Sequence, residues 1–470
     1  MGQDRIFGCR RSTRPHENRA VTPKSDRTKT VHPSASNASK LRGKSLKYLG
    51  AAGPGLITGA SDDDPSGVAT YAQVGAKYGP SFLWTVVLTL PLMMAVQEIC
   101  DRTALATGSG LGELATKHFG RIGRAVIGAL LVILIIANTL NIAADLVAIG
   151  SGMNLLKAGP TWLWALLAGG IITLIMVKGT AARINTVFKI LAAALLVYIV
   201  VAIMVTKQWG RILDYTFVPH LRFNRTYISL LVAVLGTTIS PYLFFWQSAD
   251  RLEEMRLEPE GGLIASPLRR RSHSHAALKQ RLSRIDVFSG MAFSNIVMFA
   301  IITSTAETLH VHNVDNIQSA AQAANSLKPL AGPFASVIFA LGFIGSGLLA
   351  VPVLAASGSV GLSGLLKKNW GFSLSMRKAP LFYALVGVGT IGGTALSLLA
   401  INPIKLLVFV AVINGVIAAP LLAVVLIVSN NRKLMGKYAN GLLANIFGGA
   451  AFVIMAWASV ALFATVGFSF

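Results

Sequence analysis

Charged residues are scarce in this chain of 470 residues: only 13% are Asp, Glu, Lys or Arg, and 53% are hydrophobic. A soluble globular protein carries roughly 25% charged residues, so the composition excludes an ordinary soluble domain. Cysteine is also rare. Cys9 and Cys100 lie far apart in the sequence, which leaves a disulfide framework without support. Acidic residues are outnumbered by basic ones, 19 against 42, and the net charge is +23.

Long apolar runs take up most of the sequence, and its mean hydropathy is +0.62. Runs of about 20 such residues cross a bilayer as helices. The alternating pattern of a membrane-spanning β-barrel is absent. The candidate spans lie at about 50–78, 82–100, 124–152, 160–178, 184–205, 226–248, 286–305, 332–357, 380–399, 404–428 and 441–466. They predict an all-α polytopic membrane protein with about 11 transmembrane helices.

The positive charge lies mostly in residues 1–48 and in the short connections between the spans. In a soluble protein it would indicate nucleic-acid binding, but in a membrane protein it sets the orientation instead. Residues 1–48 are polar and basic, which predicts a disordered tail. The tail has no apolar core of the kind that a secretory signal needs. We therefore expect a plasma-membrane protein that does not bind nucleic acid.

Most of the Lys- and Arg-rich connections follow even-numbered spans, which places the N-terminus in the cytoplasm and the C-terminus outside. The longest of them, 249–285, is predicted to be a basic cytoplasmic loop that lies near anionic lipid headgroups. The chain then divides into spans one to five at 49–205, spans six to ten at 206–428, and span eleven at 429–470.

The first span contains the motif SDDDPSG, residues 61–67, between two apolar segments. A carboxylate near the bilayer midplane costs roughly 2.5–3.5 kcal/mol, so it persists where it faces a cavity, a partner or a cation. Pro65 removes a backbone donor and Gly67 relaxes the chain, which together predict a break in the helix. Carboxylate and freed carbonyl oxygens form a site that suits a divalent cation.

Three consecutive aspartates cannot all point at one spot, because adjacent helical residues diverge by about 100°. Asp64 is the favoured ligand because it adjoins the break. Asp62 and Asp63 are predicted to line the access path or to pair with other polar groups. The alternative is that the triplet is solvated at a membrane boundary.

The sixth span has a second interruption, where LGTTISPY places Gly236, Thr237, Thr238, Ser240 and Pro241 in mid-segment. Spans one and six are the first helices of two five-span halves. In transporters built from inverted repeats, broken helices at corresponding positions mark the substrate site near the midplane. The pair of interruptions therefore predicts such a transporter.

The segment GPGLITGASDDDPSGVATYAQVGAKYG resembles the first span of Nramp-type divalent metal transporters, whose usual pattern there is Asp-Pro-Gly-Asn. The likeness extends over about 50–466 and includes Asp145-Leu146 in span three, similar to the family's Asp-Leu-Ala-Glu, and NRKLMGKYAN at 431–440. It implies a LeuT-like fold of inverted five-helix repeats with broken helices 1 and 6. It also implies a metal ion that is substrate rather than cofactor.

The departures from the family pattern fall on the metal site. Asp64 and Pro65 match, but Gly67 stands where the metal-binding Asn is expected. In span six the family has Met-Pro-His and a second His. The corresponding residues here are Ser240, Pro241, Tyr242 and Gln247, and the Glu position in span three is Ala148.

These replacements favour oxygen ligands over the softer thioether and imidazole. Thr238 and Ser240 are candidate oxygen ligands, and Gly67 retains the place of the metal-binding Asn. Oxygen coordination suits Mg²⁺ or Mn²⁺ better than Fe²⁺, and a magnesium-transporting branch of the family is one interpretation. The missing histidines argue against proton coupling, although protons remain a candidate coupling ion.

Two further spans carry candidate polar residues. Asp145 is a lone carboxylate in an apolar helix, where it serves either as a proton acceptor or permeation residue, or as a structural hydrogen-bonding group shared with Asn141. Asn414 in span ten lies near the position where the family often has a ligating Gln. Tyr242 joins Asp145, Asp63 and Asp62 on the predicted permeation path.

Two other functions compete with metal transport. An amino-acid or other small-solute transporter of the same fold is disfavoured, because three aspartates would repel a substrate carboxylate. A Mg²⁺-dependent membrane enzyme such as a prenyltransferase needs acidic residues one turn apart. Ser66 and Gly67 occupy those places, and no second Asp-rich cluster is present.

Overall fold

The computed structural model describes residues 53–178, 191–222, 224–262, 264–317, 335–399 and 402–466. These ranges fall within one compact unit, Ala52–Phe470. All of their regular structure is α-helix or short 3₁₀ turn. The expected tail at 1–48 lies outside the described residues.

The α-helices are numbered here in chain order. They are α1 Pro54–Asp62, α2 Pro65–Tyr78, α3 Trp84–Thr107, α4 Leu111–His118, α5 Arg121–Leu155, α6 Thr161–Lys178, α7 Leu196–Val205, α8 Trp209–Phe217, α9 Arg225–Thr238, α10 Pro241–Leu257, α11 His273–Thr308, α12 Ala335–Leu365, α13 Pro380–Ser397, α14 Pro403–Asn430, α15 Arg432–Met435 and α16 Leu442–Val466.

Proline and side-chain caps explain where several of these helices begin. A proline at the first helical position lacks an N–H that would have no partner there, so it starts a helix without loss. Such prolines open α1, α2, α10, α13 and α14. Asp64, Asn224 and Ser272 cap α2, α9 and α11 by accepting hydrogen bonds from backbone amides.

Within the described ranges, 9 helices are long and apolar enough to cross a membrane, or up to 10 if α7 and α8 form one span bent by 119°. The predicted first span, which is divided into α1 with 9 residues and α2 with 14, is not among them. Helices α9 and α10 are counted together as Arg225–Leu257. The predicted span 184–205 is described only from residue 191. The number eleven therefore stays a prediction.

Burial separates central helices from peripheral ones. In the most apolar 18-residue stretch of Arg225–Leu257, which contains α9 and α10, 94% of the residues are buried. The corresponding shares are 28% in α6 and 33% in α16. Helices α9 and α10 thus lie inside the bundle, whereas α6 and α16 keep apolar faces for the lipid. The inner contacts pair α9 with α14, α5 with α12, and α11 with α1.

Glycine allows α9 and α14 to approach each other closely. A Cβ at Gly236 would overlap the carbonyl oxygen of Ala411 and the amide of Gly415. Small residues at such crossings let backbones touch, as is common between membrane helices. The contact fixes the neighbour of Gly415, Asn414, at the level of the last turn of α9.

The predicted cytoplasmic loop 249–285 is wrong in its bounds. Helix α10 continues to Leu257 and α11 begins at His273, so only 258–272 connects them. Many of the charged residues at these helix ends are paired rather than solvated. Lys279 Nζ, for example, lies 2.8 Å from Glu254 Oε2. Hydropathy cannot distinguish a paired, helical charge from a charge in a loop, which explains the error.

Candidate metal-binding site

The first helix interruption is formed by Asp63 and Asp64. Helix α1 ends at Asp62, Asp64 is extended with φ −65° and ψ 169°, and α2 starts at Pro65. Asp64 Oδ1 accepts hydrogen bonds from the Gly67 amide at 2.7 Å and from Ser66 Oγ at 2.5 Å. The carboxylate thus caps α2, at the helix end whose dipole favours negative charge.

The second interruption lies between α9 and α10, where Thr238 ends one helix and Pro241 begins the next. Ser240 Oγ donates to the carbonyl oxygen of Thr237 at 2.7 Å, and Thr238 Oγ1 donates to that of Val234 at 2.8 Å. Both predicted ligands are buried. Their hydroxyl protons are engaged by the backbone, so each oxygen still has lone pairs to offer a cation.

Two side chains from other helices meet the second oxygen of Asp64. Asn141 Nδ2 of α5 donates to Asp64 Oδ2 at 2.9 Å, and the Tyr242 hydroxyl of α10 lies 3.4 Å from the same atom. The Tyr242 hydroxyl also donates to the Ser61 carbonyl oxygen at 3.1 Å, near the end of α1. Tyr242 therefore bridges the two interruptions, with the Asp64 carboxylate between them.

Asp145 lies one helical turn after Asn141, on the same face of α5. It is completely buried, and in the described part of the chain neither carboxylate oxygen has a hydrogen-bond partner. Asn141 contacts Asp64, so Asp145 lies on the side of α5 that faces Asp64. A buried carboxylate without a partner is costly, so the position calls for a proton or a cation.

The other two aspartates diverge from Asp64, as expected for consecutive residues. Asp62 Oδ2 accepts a hydrogen bond from Ser294 Oγ of α11 at 3.0 Å. Asp63 is fully buried, and its carboxylate oxygens have no partner among the described residues. The triplet is therefore inside the bundle, and the alternative of a solvated boundary position is excluded.

Asn414 and Thr237 place further buried polar groups near the interruptions. Both amide atoms of Asn414 lack a partner within the described ranges, as does Thr237 Oγ1. A Cβ at Gly67 would lie 3.0 Å from Thr237 Oγ1, so Gly67 and Thr237 face each other. Gly67 itself offers no side-chain ligand, and its amide is engaged with Asp64.

Sequence reasoning selected Thr238 and passed over Thr237. The two residues are chemically identical, and their hydroxyls differ only in the direction in which they point from α9. The sequence carries no signal for this direction, because it depends on how α9 packs against Gly67 of α2.

Sequence reasoning also missed a buried ion network between α3, α10 and α11. Arg251 Nε lies 2.5 Å from Asp101 Oδ1, and Arg251 Nη2 lies 2.8 Å from Asp286 Oδ2. Gln247, at one of the family's histidine positions, donates to Asp101 at 2.8 Å. Gln247 therefore contributes to this ion network. The hydrogen bonds to Asp64 come from other residues.

No three His, Cys, Asp or Glu side chains form a metal cluster in the part of the chain that the structure describes. A cation bound at Asp64 would need hydroxyl, amide, carbonyl or water oxygens to complete its shell. Such ligands suit a hard ion that retains part of its hydration.

A helical membrane bundle with a buried carboxylate between two interrupted helices has the architecture of a secondary transporter. Residues 55–465 match the family described as natural resistance-associated macrophage protein-like, or Nramp. The chain belongs to this family, as the resemblance in its first and third spans predicted.

Curated relatives with similar sequences are named divalent metal cation transporter MntH. The protein from Verminephrobacter eiseniae is 26% identical over 441 residues, covering 91% of this chain and 92% of the relative. The protein from Deinococcus radiodurans is 26% identical over 323 residues, covering 67% and 69%.

Solved structures support the expected fold. A manganese transporter from Eremococcus coleocola aligns with a TM-score of 0.68 and 14% identity, covering 90% of this chain and 88% of the other. The nucleobase-cation-symport transporter Mhp1 aligns with a TM-score of 0.52 and 13% identity, covering 88% and 93%. At these identities the matches concern the fold alone, and they confirm an all-helical LeuT-like bundle.

Proposed function

We propose that this protein carries divalent metal cations across a membrane by alternating access, with Asp64 as the central ligand. The observation that carries the proposal is the buried Asp64 carboxylate between the two helix interruptions. Asn141 and Tyr242 hold one of its oxygens in place. The names of the MntH relatives favour a metal cation over an amino acid as substrate. They also set aside the membrane-enzyme alternative.

The remaining ligands are proposed from the buried oxygens around Asp64. Ser240, Thr238 and Asn414 stay candidates, and Thr237 joins them because its hydroxyl is buried without a partner among the described residues. Gly67 could contribute only a backbone atom. Asp145, Asp62, Asp63 and Tyr242 are proposed to line the permeation path. The metal is a transported substrate and not a resident cofactor.

The donor set supports Mn²⁺ or Mg²⁺ as the transported ion, with Fe²⁺ less favoured. Carboxylate, hydroxyl and amide oxygens are hard ligands. The structurally similar protein from Eremococcus coleocola is a manganese transporter, which agrees with this preference. We further propose a plasma-membrane location with a cytoplasmic N-terminus, because Lys and Arg concentrate in the connections assigned to that side.

The decisive experiment compares Asp64→Asn with wild type in proteoliposomes loaded with a metal-sensitive dye. Asparagine keeps the size of the side chain but removes the charge. Loss of a group that only supports a metal ligand already costs about 10–100-fold, so we expect saturable Mn²⁺ uptake to fall by about 100-fold or more when the ligand itself is changed. Asp214→Asn is the matched control, since Asp214 is exposed on α8. Normal uptake by folded Asp64→Asn protein would refute the proposed site.

A further inference from the structure

A cleft of about 670 Å³ lies between α3, α11 and the start of α16, away from the aspartates. This α3–α11–α16 cleft has apolar walls along most of its length. They are formed mainly by Pro91, Met94, Ala95, Phe288, Leu443 and Phe447. Leu443 is 70% exposed, and α16 is one of the peripheral helices, so the cleft opens outward toward the lipid.

One end of the cleft is charged, with three cations against one carboxylate: Arg102, Arg284, Lys437 and Glu98. Arg102 is committed to the protein. Its Nε donates to Glu98 Oε1 at 3.0 Å and its Nη1 to the Tyr438 carbonyl oxygen at 2.5 Å. Arg102 therefore holds the connection before α16 against α3 and is not available to a ligand.

Arg284 and Lys437 are the two cations that face outward. Arg284 uses only its Nε on Glu98, at 2.9 Å, and its side chain is 51% exposed. Lys437 is exposed and lies over the Tyr438 ring at 5.3 Å from the centroid. Lys437 has no carboxylate partner within the described ranges. Both side chains can therefore donate to an external anion.

The cleft thus combines a basic end with a long apolar channel that is open to lipid. A soluble anion would satisfy only the basic end, and an apolar helix of another protein would leave the cations without counter-charge. A phospholipid with an anionic headgroup satisfies both parts, with its phosphate at the basic end and an acyl chain along the apolar walls. The basic end lies where α3 ends and α11 and α16 begin, the side that the Lys and Arg distribution assigns to the cytoplasm.

We propose that the α3–α11–α16 cleft is a binding site for an anionic phospholipid. Arg284 and Lys437 bind the phosphate, and Phe288 and Phe447 contact the acyl chain. This proposal is more specific than a general attraction of basic loops to the membrane surface, because it assigns the lipid contact to two cations and one cleft. It is independent of the metal pathway, so it stands whether or not the protein transports metal.

The test measures binding of dioleoyl phosphatidylglycerol and dioleoyl phosphatidylcholine to the full chain in detergent, by native mass spectrometry. The variant is Arg284→Gln/Lys437→Gln. The matched control is Arg281→Gln/Lys433→Gln, which removes two exposed charges from the same helix and from the adjoining segment, outside the cleft. Each basic residue near an anionic surface contributes roughly a fivefold gain in affinity.

We expect the cleft variant to bind phosphatidylglycerol about 25-fold more weakly than wild type, since two such contributions are lost. The control variant should keep wild-type affinity, and phosphatidylcholine should bind weakly to all three proteins. Equal weakening in both variants would overturn the proposal, because it would show a diffuse charge effect. Competition by glycerol phosphate alone would also overturn it, since the site would then bind a free phosphate. The proposal would also be overturned if the wild-type protein formed a dimer that the cleft variant does not form.

Discussion

Asp64 is held by neighbours that leave its charge uncompensated. Its contacts are the Gly67 amide, the Ser66 hydroxyl, Asn141 and Tyr242, all of them neutral groups. Hydrogen bonds to a carboxylate fix its position but do not neutralise its charge, which requires a proton or a cation. At the scale of one residue, this arrangement supports the proposal that Asp64 binds a metal cation.

Asp145 differs from Asp64 because its carboxylate has no hydrogen-bond partner among the described residues. If it supplies negative charge to the permeation path, Asp145→Asn should raise the KM for Mn²⁺ by about tenfold, since a second carboxylate strengthens attraction in a low-dielectric site. Asp145→Glu should restore most of the affinity. Both are measured as initial uptake rates in proteoliposomes.

The same variant also tests the alternative that Asp145 makes a structural hydrogen bond. That alternative predicts a lower melting temperature for Asp145→Asn. The structure predicts an unchanged or higher one, because the substitution removes an unpaired buried charge. A fall in melting temperature with an unchanged KM would contradict the assignment of Asp145 to the path.

At the residue level, the chemistry of a side chain can be read from the sequence, but its direction cannot. An Asp beside Pro65 is recognisable as a special position in any apolar segment, and the structure places Asp64 between the two helix interruptions. Thr237 and Thr238 have identical chemistry, and only the helix register in the bundle directs one hydroxyl toward Gly67. A single sequence does not contain that register.

Among the helices, the buried ion network fixes how α1, α3, α10 and α11 meet. Besides its bond to Arg251, Asp286 Oδ2 accepts the Gly55 amide at 2.9 Å at the start of α1. Asp101 is bound by Arg251, Gln247 and Ser283. The Arg251 guanidinium therefore holds carboxylates from two other helices, in addition to Glu254 of its own helix. One of them, Asp286, also caps a third helix, α1.

Arg251→Met is expected to destabilise the protein by about 3–5 kcal/mol, because it leaves Asp101 buried without its counter-charge. The measurement is thermal unfolding in detergent, followed by intrinsic fluorescence. Arg281→Met is the control, since Arg281 is exposed on α11. If the two variants melt at the same temperature, the network does not stabilise the helix ends.

Element-level prediction was accurate for apolar helices and inaccurate for paired charges. The predicted span 404–428 corresponds to α14 at Pro403–Asn430, because uninterrupted apolar length determines both. The predicted loop 249–285 contains the end of α10 and the start of α11, where many of the charged residues are helical and paired. Their partners come from distant parts of the chain, which a local pattern cannot show.

For the whole molecule, the central helices carry the polar groups and the peripheral helices carry apolar surface. Helices α9 and α10 are nearly enclosed, whereas α6 and α16 are mostly exposed. Hydropathy and charge distribution predicted the membrane location, and the motifs of spans one and three predicted the family. The division into 49–205, 206–428 and 429–470 and the orientation of the termini stay predictions, because they depend on how the bundle sits in a bilayer.

Ion selectivity and coupling belong to the whole molecule as well, and one transport experiment tests both. The side chains that contact Asp64 offer oxygen and nitrogen atoms without a thioether or imidazole. Hard ions should therefore compete well. In proteoliposomes we expect Mn²⁺ uptake to be inhibited by Mg²⁺ and only weakly by the softer Cd²⁺. A strong preference for Cd²⁺ would contradict an oxygen-only site.

Internal pH recorded during the same uptake tests coupling to protons. The two family histidine positions hold Tyr242, which bridges the helix interruptions, and Gln247, which bonds to Asp101. An imidazole exchanges a proton near neutral pH, whereas a phenol and an amide do not. We expect metal entry without acidification of the lumen. Acidification in proportion to uptake would contradict this. If acidification did occur, and Asp145→Asn abolished the acidification while metal entry continued, Asp145 would be the proton carrier.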